Sequence, residues 1–76
     1  TIAFDLSKPA DVSIGIYDVS GRLVKTLVSE KMAAGSHEVN WNGTNNAGTG
    51  VPSGMYFYRM ITSEGFAATR KMILLR

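Results

Sequence analysis

WNGTNNAGTGVPSGMYFYRM, residues 41–60, sets one tryptophan and a strand-like run of aromatics on either side of a segment made of glycine, asparagine, threonine and serine. Such a stretch is either a ligand-cradling loop or a long turn between strands. A phosphate cradle needs a glycine-rich turn that opens a helix, with a lysine or arginine close by. Here NAGTGVPSG runs into the strand pattern GMYFYRMIT, and the nearest cation is Arg59. A calcium loop needs carboxylates among its oxygen ligands, and residues 42–53 carry none. Backbone and amide oxygens leave room only for a weakly held ion. The turn reading is the stronger one, because Asn and Gly tolerate positive φ and Pro52 stiffens the approach to Gly54. Trp41, Tyr56 and Tyr58 then bring large apolar area with polar tips to one end of a core. Asn42-Gly43-Thr44 also fits a glycosylation acceptor, a pattern common by chance.

Outward from this segment the chain reads as strands. Ile2, Phe4 and Leu6 alternate with polar or small residues, as do Val12, Ile14 and Ile16, which is the period-two pattern of strands with one buried face. Pro9 marks a turn between them, and Gly21 supplies the positive φ of a tight hairpin over residues 12–28. A helix over GRLVKTLVSEKMAAG competes, with Leu23, Leu27 and Met32 near one face and Gly35 as its stop. The β-branched content and the upstream hairpin glycine favour instead a strand that gives way to an exposed SEKMAAG loop. SHEVNW, GMYFYRMIT and FAATRKMILLR supply the remaining strands. Six strands, or seven if the first is split, at roughly ten-residue spacing with glycine-rich turns indicate an all-β, antiparallel immunoglobulin-like sandwich. The consecutive Ile73, Leu74 and Leu75 suggest a last strand that is central or buried on both faces.

Seventy-six residues make one domain, 1–76, and with no cysteine its core must hold without disulfides. The opening TIAFDLSKPAD does not have the basic start and apolar run expected of a signal peptide, and no apolar run reaches membrane length. Residues 1–38 carry four cations against five anions, and residues 39–76 four cations against Glu64 alone. That mild basic bias fits a solvated face better than a nucleic-acid site. His37 is the only histidine and sits in a strand without a motif, as a rim residue. The carboxylates Asp5, Asp11, Asp18, Glu30, Glu38 and Glu64 are scattered singly, so paired acid–base chemistry has no sequence support. The expectation is a non-enzyme, with no catalytic or metal residues and no cofactor.

Taken together, IYDVSGRLVKTLV, then AAGSHEVNWNGTNNAGTGVPSGMYFYRM, then TRKMILLR resemble the immunoglobulin-like domain first described in the flagellar hook-capping protein. The same kind of domain occurs as the last domain of exported bacterial proteins, a group that overlaps the C-terminal sorting domains of type IX (Por) secretion. Ile16, Tyr17, Asp18, Gly21 and Val24 match the first block. Gly35, Trp41, Gly43, Gly48, Gly54, Tyr56 and Tyr58 match the second, and Lys71, Met72 and Leu74 the third.

In the sorting group the resemblance implies an address read by export machinery; recognition is expected at an exposed sheet edge or on the closing strand, at Arg70, Lys71, Met72, Leu74 and Arg76. The apolar end of the chain and the abrupt start at Thr1 lead to the expectation of a C-terminal module of a longer exported protein, located outside the cell or on its surface. The alternative is a structural subunit that scaffolds or polymerises through strand or edge pairing with neighbouring subunits, and the extended 42–53 segment is closer to the hook-capping form. A second alternative is a small carbohydrate-binding module using exposed Tyr17, Trp41 or Tyr58, which needs aromatics exposed in a row, whereas the turn reading buries at least Trp41.

Overall fold

The computed structural model describes residues 1–75. Six strands follow one another: β1 (Ile2–Leu6), β2 (Ala10–Tyr17), β3 (Leu23–Met32), β4 (Gly35–Val39), β5 (Gly54–Thr62) and β6 (Ala67–Leu74). They form two antiparallel sheets, β1-β4 and β3-β2-β5-β6, packed as an immunoglobulin-like sandwich. Among the described residues no helix is long and apolar enough to cross a membrane.

Strand β2 is the keel of the molecule. Val12, Ile14 and Ile16 project from one side of it and are fully buried, so this short run supplies the three largest enclosed side chains. Each contributes roughly 1.5 to 3 kcal/mol by leaving water, which lets a small domain do without disulfides. Tyr56 and Met60 from β5, Val28 from β3 and Ile2 from β1 complete the cluster. The alternation expected for β1 and β2 is thus present, and the small β1-β4 sheet closes the core from the other side.

Two expectations need correction. Strand β3 does not dissolve into a loop after Val28 but continues to Met32, leaving only Ala33 and Ala34 before β4. The cause is its partner: β2 begins at Ala10, and Ala10 pairs with Met32, which packs against the core. Likewise β6 is neither central nor buried on both faces. It is the outer strand of its sheet, and Ile73 remains 58% exposed. Its apolar run therefore reflects a face left uncovered.

Strand β3 also shifts register twice against β2, between Ile14/Gly15 and between Ile16/Tyr17. Each shift inserts one extra residue, Leu27 and Val24 respectively, and both are half-buried against the core. These bulges replace strict alternation by closely spaced apolar residues, which is what gave RLVKTLV a helical look.

Candidate protein-recognition surfaces

Residues 40–53 carry the chain from the small sheet to the large one, and they do so as a self-bonded unit. Thr44 and Gly50 form an isolated bridge, and the Val51 amide donates to the Gly43 carbonyl over 2.9 Å. Asn45 organises the tip, its side-chain oxygen accepting from the amides of Ala47 and Thr49, each at 3.0 Å. Asn42 accepts from the Thr44 hydroxyl, and the Asn46 side chain accepts from the Thr26 amide. The amide oxygens that a weakly bound calcium would recruit are thus already acceptors. Among the described residues no three His, Cys, Asp or Glu side chains are grouped to hold a metal.

The aromatic seal expected at this end is present. Trp41 meets Tyr56 edge-on, with ring centroids 5.1 Å apart and planes at 69°. The indole N–H donates to the Thr44 carbonyl, and the Tyr56 hydroxyl to the Pro52 carbonyl. Both rings thereby pin the crossing while filling the end of the core, although Trp41 itself lies just past β4 and is only half-buried. Gly54 starts β5 with φ at 155°, and Gly21 shapes the β2–β3 turn with φ at 86°. In that turn the Asp18 carboxylate accepts from the Ser20 hydroxyl and from the amides of Ser20 and Arg22. Those bonds, the Ser20 hydroxyl foremost, hold the Asp18 carboxyl below its ordinary value.

Asn46 does something that nothing in the sequence announces. Its amide donates to the Val24 carbonyl at 3.1 Å, while its side-chain oxygen takes the Thr26 amide at 3.0 Å. Val24 and Thr26 are two apart, so both groups point from the outer edge of β3. One asparagine thus occupies the positions a neighbouring strand would use. In sequence Asn46 looks no different from Asn45, and only the packing of the crossing against β3 separates their roles.

The residues expected to act together on the closing strand are divided by its pleat. Tyr56 pairs with Met72 and Gly54 with Leu74, and Met72 and Leu74 pack against the core. Arg70, opposite Tyr58, shares their face, whereas Lys71, opposite Phe57, emerges on the other. Arg76 lies outside the described residues. Tyr17, Trp41 and Tyr58 form no row either, since Tyr17 lies on the outer face of the large sheet, Tyr58 on the core side and Trp41 at one end.

His37 is half-buried at the rim of the small sheet, stacked on Phe4 with centroids 5.4 Å apart and bonded to the Ala33 carbonyl. On the other side of Phe4 the sandwich gapes. Phe4, Leu6, Met60, Thr62 and Phe66 line a groove of about 410 Å³, with a Lys8–Glu64 ion pair at its mouth. Among the described residues strand β1, which borders this groove, is paired only on its β4 side.

Residues 1–65 match the family model described as the FlgD Ig-like domain. The chain belongs to that family. The FlgD match covers β1 to β5 and the turn after them, and β6 lies beyond it. Among curated relatives, the basal-body rod modification protein FlgD of Salmonella typhimurium is 40% identical over 62 residues, or 80% of this chain. The FlgD protein of Escherichia coli (strain K12) is 34% identical over the same length. The chain spans 27% of the length of these relatives. They overturn the expectation of an extracellular or cell-surface location, because their names tie them to the flagellar basal-body rod.

Proposed function

We propose that this FlgD-type domain is a non-catalytic structural module that scaffolds a flagellar, hook-cap-like assembly by pairing a strand edge with a neighbouring protein. The observation that supports it is the unequal treatment of its sheet edges. Exposed edges template association unless they are blocked. Asn46 caps the β3 edge at residues 24–26. Strands β1, β4 and β6 each keep an edge with no strand partner among the described residues, and the β1 edge lies beside an apolar groove. An added strand there gains main-chain hydrogen bonds from β1, and a side chain from it fills the space between Leu6 and Phe66. The scaffold reading is preferred to a type IX sorting address because the relatives are named for the basal-body rod.

Sedimentation velocity and negative-stain microscopy from micromolar to millimolar concentration test this. The expected result is concentration-dependent assembly, weakened by Phe66→Asp at the groove rim with the melting profile preserved. A strictly monomeric chain at millimolar concentration would sink edge pairing.

A further inference from the structure

The pairing registers set side chains in rows across the outer face of the large sheet, the face turned away from the core. Leu23, Tyr17, Phe57 and Lys71 form one row across all four strands. The next row is Thr26, Gly15, Arg59 and Thr69, and a third is Ser29, Ser13, Ile61 and Ala67. Met55 and Ile73 pair on the far side of the first row. Leu23, Met55, Ile61 and Ile73 are each 41% to 58% exposed, and Phe57 and Tyr17 lie half-buried among them. Tyr17 and Leu23 lean over Gly15, where an added Cβ would come within 3.1 Å of the Tyr17 ring, so the small residue lets the aromatic lie flat along the sheet. No element of the described chain covers this face.

Its charges restrict what can cover it. Arg59 and Lys71 rise from adjacent rows on neighbouring strands, and among the described residues neither has a carboxylate within 4.0 Å. Asp18, just past the end of β2, is engaged by its own turn, and Asp11 is at the opposite end of the strand. A purely apolar cover would bury these two cations unpaired, which is strongly unfavourable. A second copy stacked with its own Arg59 and Lys71 over these two would bring cations against cations. A cover with carboxylates beside its apolar residues meets both requirements.

We propose that this outer face is a docking surface for a protein segment that presents apolar side chains flanked by carboxylates, seated on Tyr17, Phe57, Met55 and Ile73 and paired with Arg59 and Lys71. The inference adds a second contact to the scaffold reading and rests on a face that edge pairing at β1 does not use.

The test is a titration of the isotopically labelled 76-residue chain with two synthetic amphipathic helical peptides identical except that one carries glutamate and the other lysine on its polar face. With the glutamate peptide, the amide signals of Tyr17, Phe57, Arg59, Lys71 and Ile73 should shift. The lysine peptide should leave them in place. Charge reversal of both cations (Arg59→Glu with Lys71→Glu), at exposed positions that leave the core intact, should weaken the glutamate peptide at least tenfold and admit the lysine peptide. That double variant should leave assembly through β1 unchanged, whereas Phe66→Asp should leave peptide binding unchanged, so the two readings fail separately. Absent shifts, shifts confined to β1 and β4, or equal response to both peptides would overturn the proposal. So would concentration-dependent broadening of the same amides without peptide, which assigns the face to a second copy. Capture by phosphatidylglycerol vesicles with no peptide response would assign it to a lipid surface instead.

Discussion

The Asn46 side-chain oxygen accepts the Thr26 amide at 3.0 Å while the Asn46 amide reaches the Val24 carbonyl, so a single residue caps the outer edge of β3 at residues 24–26. Replacing it by alanine removes the side-chain acceptor and leaves an edge amide free. Asn46→Ala should cost about 1 kcal/mol, the usual net worth of such a bond. It should also raise self-association at high concentration, since an unblocked edge recruits strands. Urea denaturation gives the first quantity and sedimentation the second; a variant as stable and as monomeric as the parent would remove the cap from the account.

The aromatic seal separates packing from hydrogen bonding. Tyr56→Phe keeps the ring against Trp41 and loses only the bond to the Pro52 carbonyl, so it should cost about 1 kcal/mol. Trp41→Ala loses the ring and the anchor at Thr44, and should cost about 3 kcal/mol, the low end for a large aromatic because Trp41 is half-buried. Thermal unfolding followed by circular dichroism ranks the two.

At Ile14 the side chain is fully enclosed, midway along β2. Ile14→Val should lose about 1 kcal/mol and Ile14→Ala about 3 to 4 kcal/mol. Against a total stability of roughly 5 to 10 kcal/mol for a domain of this size, the second change should lower the urea midpoint by a third or more. Equal midpoints for the two variants would contradict the placement of the core on β2.

The Asp18 carboxyl is held below its ordinary value of 3.8 by the Ser20 hydroxyl and then the Arg22 amide. A folded-state value below the unfolded one means that the ionised group stabilises the fold above about 3.8, and that this contribution fades as pH falls through the folded value. The parent should therefore exceed Asp18→Asn in stability at neutral pH, with the gap closing in acid. Denaturation of both proteins across that range checks the sign, and a gap that widens on acidification would refute it.

How far the sequence reveals this structure depends on what each pattern encodes. Alternation in Ile2–Leu6 and Val12–Ile16 reports a covered face directly, because one side of each strand meets the core and the other does not. In RLVKTLV the bulges at Val24 and Leu27 shift the register, so apolar residues fall at irregular intervals and a helix competes with the favoured strand. The run Ile73-Leu74 is opaque for a different reason: apolarity on both sides of a strand is the same whether both sides are covered or one is left bare. The signature residues Trp41, Gly54 and Tyr56 were legible because size and backbone freedom are intrinsic to the residue. Asn46 was not, because its role is made by β3, twenty residues earlier in the chain.

The nesting of the two sheets also sets an order of events. Ile2 pairs with Val39 and Leu6 with Gly35, so the β1-β4 ladder encloses the whole β2–β3 hairpin within its loop. Closing that loop in an unstructured chain costs more entropy than closing the hairpin itself. Once the hairpin exists, three residues at one end and two at the other are all that separate it from β1 and β4. The small sheet is then a clasp over a finished hairpin, and any change that slows formation of the Asp18 turn should delay the arrival of the β1 edge proposed to recruit a neighbour.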